Sequence, residues 1–496
     1  MDVIYSIKPL LAIMVSLVAA CLILLTGERS KNLRESWTIL ASVIKFIIVA
    51  SMIPSVLKGN VLEYTIISLA PGLFLQFRVD AFGLLFGILA SALWIATSFY
   101  SIGYMRGLKE HAQTRYFFCF AIALSATMGI AFSANLLTLF IFYEILTMAT
   151  YPLVAHKETP EAIKGGRKYL TYTLTAGVVI LLSMAIIYRL TGTLDFTPGG
   201  FMAGNASSDM LRFLFVTLVM SFGVKAAIMP LHEWLPTAMV APTPVSALLH
   251  AVAVVKAGVF GVLRVILYVF GPAFLHDTGL WILLAYLVSF TIIVSCFFAL
   301  AQDNIKRRLA FSTINNLSIV ILGAALLTPS AIKGGMLHMA FHGFMKITLF
   351  FVAGAIYVKT HKQNVSELDG LGRQMPLTMG SFAIGAMGVA GIPPICGFIS
   401  KWYLCLGSLE AHELVFLFVF LASALLDAAF FFPIVYRAFF KKPKEDINPS
   451  FNEASPFMLT PLMATAVFSL VLGIFPNAFV HFIEIAALAV QNIMGG

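Results

Sequence analysis

Fourteen predominantly apolar stretches, each long enough to cross a bilayer at about 20 residues, recur along the 496 residues. They start near positions 7, 34, 79, 116, 134, 166, 210, 244, 278, 306, 331, 376, 412 and 456. This pattern constrains the fold before any motif is considered. Inside hydrocarbon no water is present to satisfy backbone amides and carbonyls, so a spanning segment must be a helix or part of a closed barrel. Runs of this length are helical. Only 11% of the residues are charged, where ordinary soluble domains have about 25%. The chain is therefore expected to be an all-α polytopic membrane protein of about fourteen transmembrane helices. Ile7-Lys8-Pro9 flanks the first run in place of a basic leader region, and no small-residue cleavage site stands out, so this run is read as a retained helix.

Basic residues set the expected orientation, because Lys and Arg in short loops stay cytoplasmic. Of the 32, twenty fall in the loops after odd-numbered helices, among them Arg29, Arg115, Lys164, Arg373 and Lys444. Seven fall at the termini and in the other loops, and Lys45, Lys225, Lys256, Lys346 and Lys401 lie inside apolar runs. Both termini are thus expected on the non-cytoplasmic side. The net charge of +9 follows from this topology, and no nucleic-acid partner is implied. The five cysteines are scattered without a CxxC spacing, so neither a disulfide framework nor a cluster of metal ligands is expected.

Charge inside the apolar runs is the chemical signal. From Gly223 to Arg264 the chain reads GVKAAIMPLHEWLPTAMVAPTPVSALLHAVAVVKAGVFGVLR. Lys225 ends one run, Pro230 and Pro236 interrupt the helix just after it, and the next run carries His250 and Lys256. A lysine at bilayer depth costs roughly 2.5–3.5 kcal/mol on insertion scales, so two of them need a use or a partner. Broken membrane helices in turn mark ion or substrate sites. His232 and Glu233, between the two prolines, are secondary candidates. The fifth helix, NLLTLFIFYEILTMATYPLVAH, places Glu144 near its midpoint. It is read as a carboxylate that pairs with a neighbouring lysine and controls that lysine's proton. Lys45 is read as packing, since a long lysine stem can snorkel to the interface. Arg78 and Asp80 are read as an ordinary charge pair at a membrane edge.

The sequence also repeats itself. Ala162-Ile163-Lys164-Gly165-Gly166 recurs as Ala331-Ile332-Lys333-Gly334-Gly335; Lys225 falls opposite Lys401, and Lys256 opposite Asp427, at offsets of 169, 176 and 171 residues. This spacing of five helices predicts an inverted repeat, helices four to eight against nine to thirteen. The implied divisions are residues 1–115, three N-terminal helices; 116–270 and 271–440, the two repeats; and 441–496, a loop and the last helix. Pro393 and Pro394 break the twelfth helix just before Lys401. His338, His342 and Lys346 are spaced by four and lie on one helix face. A zinc site there is a poor fit, because no glutamate base is present and a cation sits one turn away. Nothing specifies a haem either, so a proton relay is preferred. Lys306, in the basic cluster KRR, is a weaker candidate for the same line.

Taken together, GVKAAIMPLHEWLPTAMVAPTPVSALLHA, IFYE, KRRLAFSTINNLS, HMAFHGFMK and GFISK resemble the antiporter-like subunits of respiratory complex I, membrane-bound hydrogenases and Mrp-type sodium/proton antiporters. The resemblance covers nearly the whole chain and is nearest the D-type Mrp subunit. It implies a component of a larger complex in a bacterial or archaeal cytoplasmic membrane, moving protons or exchanging them for Na+, with other membrane subunits as partners and no cofactor of its own. Glu144 matches the family's fifth-helix glutamate and Lys225 its seventh-helix lysine. Lys256 or His250 matches the central relay, His338, His342 and Lys346 the eleventh-helix group, and Lys401 the terminal residue. Thr313-Ile314-Asn315-Asn316 departs from the family's more usual serine-glutamine pair. The rival readings are a stand-alone transporter of a small solute and a redox subunit binding haem or quinone.

Overall fold

The computed structural model describes residues 2–442 and 451–495, so Lys444 of the basic set lies outside the described residues. Helices α1 to α6 span Lys8–Thr26, Lys31–Ala50, Ala81–Gly107, Gln113–Ala131, Leu136–Val154 and Pro160–Thr191. Helix α7 is Ser208–Ala226, and α8 covers Thr243–Phe270. Helices α9, α10 and α11 are Leu280–Ala301, Ile305–Ala325 and Pro329–Thr360. Helix α12 comes in two pieces, Pro376–Ala390 and Cys396–Glu410, and α13, α14 and α15 are Leu414–Phe440, Pro456–Ile474 and Phe482–Met494. Among the described residues, twelve helices are long and apolar enough to cross a membrane. The charged α7 and the broken α12 bring the number to the fourteen expected; the short α15 was not expected as a separate element.

Helix starts follow from local chemistry. Ser30, Asp80, Asn135, Thr159, Ser207 and Asn304 each accept a hydrogen bond from the backbone N–H three residues on, which satisfies one of the free donors of a first turn. Helices α8, α10 and α11 are buried on every side. Between them they carry His250, Lys256, Arg264, Ser312, Asn315, Asn316, His338, His342 and Lys346, and enclosing these helices keeps those groups from lipid. The outer helices present large apolar side chains instead, among them Val178, Leu182, Leu283, Phe290, Phe418 and Leu425.

One feature is not helical. Strands β1 (Val3–Tyr5), β2 (Val61–Ala70) and β3 (Leu73–Val79) form a small sheet in that order. β1 runs parallel to β2, and β2 pairs antiparallel with β3 around the Pro71-Gly72 turn. The signal was present as β-branched and aromatic residues on both sides of a Pro-Gly turn, but apolar content alone does not separate it from a helix end.

Three charges behave differently from expectation. Lys45 does not snorkel: it is fully buried, donates to the Leu124 carbonyl at 3.0 Å and lies 4.6 Å from the Trp94 ring centre. Arg78 and Asp80 do not pair with each other. Arg78 binds Glu63 of β2, and Asp80 binds Arg264 at the far end of α8 with two bonds of 2.6 and 2.8 Å. The buried Arg264 guanidinium is enclosed by Phe82, Phe196, Phe260 and Tyr268, with the nearest ring centre at 4.2 Å. This two-pronged pair ties the start of α3 to the end of α8. Arg264→Ala leaves Asp80 without its partner and is expected to destabilise the chain by about 3–5 kcal/mol, read as a lowered midpoint of thermal unfolding in detergent.

Candidate functional site

Both helix breaks occur where the prolines place them, and both are completed by polar side chains. Helix α7 ends at Ala226, with Ala227 in the left-handed conformation. The indole of Trp234 donates to the Val224 carbonyl at 2.7 Å, and the Met229 amide donates to the Thr291 hydroxyl at 3.2 Å. In α12 the Lys401 ammonium donates to the Val389 carbonyl at 2.7 Å, at the end of the first piece. A cation at a helix C-terminus also meets the negative end of the backbone dipole. Helix α8 is irregular as well: wider π-helical turns occupy Leu248–Val252, which contains His250, and Val265–Phe270. Such turns are frequent at functional sites.

A connected line of polar groups runs through the second half of the molecule. Lys256 Nζ lies 3.0 Å from His342 Nδ1. The rings of His342 and His338 stack with centres 5.9 Å apart. His338 Nδ1 is 2.9 Å from Ser400 Oγ, and its Nε2 is 3.0 Å from Asn316 Oδ1. Next to Ser400, Lys401 pairs with Asp427 at 3.1 Å. Asn315 donates to the other oxygen of Asp427 at 3.0 Å and accepts from Ser423 at 2.9 Å. Lys346 branches from the line and donates to Ser312 at 2.8 Å. All the histidines and lysines named here are buried, with only Lys401 exposing a few per cent of its surface.

This geometry accommodates changes of protonation. Asn316 Nδ2 donates to the Ser312 carbonyl, which turns its Oδ1 towards His338 Nε2 and makes that nitrogen the donor. Ser400 Oγ sits between His338 Nδ1 and the Gly397 carbonyl, the latter at 3.0 Å. With neutral His338 the hydroxyl can donate to Nδ1. With charged His338 the hydroxyl accepts from Nδ1 and donates to Gly397. A rotation of one hydroxyl therefore serves both states. Lys256 and His342 can likewise hold one proton between them on either partner.

The first half is arranged otherwise. Glu144 and Lys225 lie within electrostatic reach of each other but make no direct salt bridge: Lys225 donates to the Tyr143 carbonyl at 2.7 Å and lies 3.2 Å from the centre of the Tyr143 ring, while Glu144 Oε1 is buried without a hydrogen-bond partner. The carboxylate occupies space left by a glycine, since a Cβ on Gly177 of α6 would stand 2.5 Å from Glu144 Oε1. Gly258 of α8 likewise lets that helix touch the α7 backbone, where a Cβ would be 2.3 Å from the Ala226 nitrogen and 2.8 Å from Lys225 Cβ.

The weaker candidates are dispersed. His250 is buried against Phe350, with no partner on either ring nitrogen. Glu233 forms a surface ion pair with Lys168, and His232 packs near Phe298 and Phe311. Lys306 donates to the Ala241 carbonyl and lines a cavity of about 500 Å³ with Tyr104, Lys157, Glu161, Thr243 and Tyr357. Sequence reasoning missed Tyr143, Gly177, Gly258, Ser400 and Ser423. Serine and glycine carry no signal until a titratable neighbour is placed beside them. Asn315 and Asn316 are the side chains that meet Asp427 and His338.

Residues 133–426, from just before α5 to one residue short of Asp427, match the family described as NADH:quinone oxidoreductase/Mrp antiporter, TM. The chain is 30% identical over 401 residues to NADH-quinone oxidoreductase subunit N of Desulforudis audaxviator, covering 78% of this chain and 79% of that one. It is also 30% identical over 461 residues to the A/B subunit of a probable K(+)/H(+) antiporter of Rhizobium meliloti, covering 90% of this chain but 45% of that longer protein. Its fold is shared with one chain of the Mrp complex from Dietzia sp. DQ12-45-1b, with a TM-score of 0.88, 20% identity and 98% and 97% of the two chains covered. The chain belongs to the NADH:quinone oxidoreductase/Mrp antiporter transmembrane family.

Proposed function

We propose that this chain is the proton-translocating, antiporter-like subunit of a multisubunit membrane complex. The observation that carries this reading is the buried sequence of contacts Lys256–His342, His338–Ser400 and Lys401–Asp427, lying beside two broken helices. Its members are proton donors and acceptors, so the proton is the ion proposed to move. Each neighbouring site changes the affinity of the next for a proton, because like charges at short range in a weakly polarisable interior repel strongly. Glu144 and Lys225 form the proposed entrance to the line, Lys256, His342 and His338 its centre, with His250 and Lys346 beside it, and Lys401 with Asp427 its end. The complex sits in a bacterial or archaeal cytoplasmic membrane, with the basic loops inside and both termini outside. The relatives include components of both an oxidoreductase and an antiporter. The partners proposed are accordingly the other membrane subunits of such an assembly.

The inverted repeat forms part of this proposal. Helices α6 and α11 are both 32 residues long, their first and last residues lie 169 apart, and a broken helix follows each. Two related halves would each supply one hydrated half-path to a shared central line, the arrangement by which repeats provide alternating access.

In vesicles containing the assembled complex, Glu144→Ala and Lys225→Ala are each expected to lower proton transport at least about 100-fold, the scale of a lost acid–base group, with subunit composition unchanged. Full transport in either variant removes this pair from the route. Gly177→Val is expected to impair transport through displacement of the Glu144 carboxylate while the complex still assembles; normal rates would mean that the position of this carboxylate is unimportant. At the far end, Lys401→Ala strands Asp427 and is expected to cost about 3–5 kcal/mol of stability. The double variant Lys401→Met with Asp427→Leu should recover most of that stability but not transport, which separates the structural role of the pair from its role in conduction.

A further inference from the structure

Away from the line of lysines and histidines, a second group of ionisable side chains gathers on the face carrying the basic loops. The turn between α3 and α4 presents Glu110 and His111, and the end of α5 presents His156. One ligand atom from each of the three lies within 4.8 Å of the other two. The His111 and His156 rings stack with centres 4.9 Å apart, and Tyr116 meets His156 edge-on at 5.7 Å. His156 is fully buried, yet neither of its ring nitrogens has a hydrogen-bond partner. Buried polar groups are almost always paired, and leaving one unpaired costs about 1–3 kcal/mol. Aromatic packing accounts for the stacking but leaves both nitrogens unsatisfied. A bound cation would satisfy one of them.

The surroundings suit such an ion. Glu158 pairs with Arg115 at 2.5 Å and lies 3.8 Å from His111 Nε2, which offsets the arginine charge and places a second carboxylate at the rim. Two imidazoles and a carboxylate, with a position left for water, form a donor set taken by Zn2+ and similar transition ions rather than by Mg2+ or Ca2+, which prefer all-oxygen shells. We propose that His111, His156 and Glu110 form a binding site for a divalent transition-metal ion of the zinc class, which staples the end of the Glu144 helix to the turn between α3 and α4.

The test uses the full chain, purified in detergent and stripped with chelator, with Co2+ alone as the probe. The expected result is one Co2+ per chain with visible ligand-field bands, displaced by Zn2+, and a rise in melting temperature when Zn2+ is added. Losing a direct ligand should weaken binding more than the 10–100-fold typical of outer-shell changes, so at least about 100-fold is expected for Glu110→Gln and for His111→Ala. His111 is exposed, so its removal should leave the fold intact even where His156→Gln does not. His361→Ala, at an exposed histidine elsewhere, should bind as the unaltered chain does. Absence of Co2+ binding, or equal affinity and stoichiometry in His111→Ala and the unaltered chain, overturns the proposal.

Discussion

The cost of holding charge where water is scarce organises this molecule. An ionised lysine deep in an apolar surrounding needs polar contacts, and each of the interior lysines finds one. Lys225, Lys401 and Lys45 use carbonyl groups, Lys346 uses a hydroxyl, and Lys256 uses an imidazole. The Val389 carbonyl is free because it lies at the end of the first piece of α12, whereas the Leu124 and Tyr143 carbonyls lie inside α4 and α5 and accept the lysine with a second lone pair. The break in α12 is thus part of the means by which the Lys401 charge is housed. Burial of α8, α10 and α11 on every side follows from the same cost.

The polar interior is uneven, and the unevenness has chemical content. From Lys256 to Asp427 donors and acceptors are largely matched, and the Lys401–Asp427 pair is held by Asn315, Ser423 and the Val389 carbonyl as well. Towards Glu144 the matching fails: one carboxylate oxygen lacks a partner, and Lys225 is bound to Tyr143 instead. A satisfied network resists rearrangement, whereas an unsatisfied group gains from any movement that brings it a partner. The Glu144–Lys225 end is therefore the part of the line in which a small movement changes the electrostatic balance most.

Much of this was legible beforehand. Length and apolarity located the fourteen passes, and prolines beside lysines located both breaks. The reason is that bilayer thickness and backbone hydrogen bonding act on each segment alone. The small sheet was not legible, because Ile66, Ile67 and Leu69 are as apolar as a helix end, and the third strand, β1, comes from about sixty residues earlier to pair with Val61–Glu63. The serines, asparagines and glycines around the site were illegible for a similar reason. Ser400 becomes informative only when His338 stands 2.9 Å away, and Gly177 only when a carboxylate fills the place of its missing side chain.

By itself the sequence determined that the chain must cross a membrane many times, that it carries titratable groups at that depth, and roughly where its helices break. These follow from the cost of burying backbone and charge, which depends on local composition. Tertiary structure alone decided which charges meet: Asp80 with Arg264 rather than with its neighbour Arg78, Lys401 with Asp427, Lys256 with His342, and Lys225 with the Tyr143 carbonyl rather than directly with Glu144. Pairing energies fall steeply with distance and require a matched geometry, and distances between helices remote in sequence are set only when the helices pack.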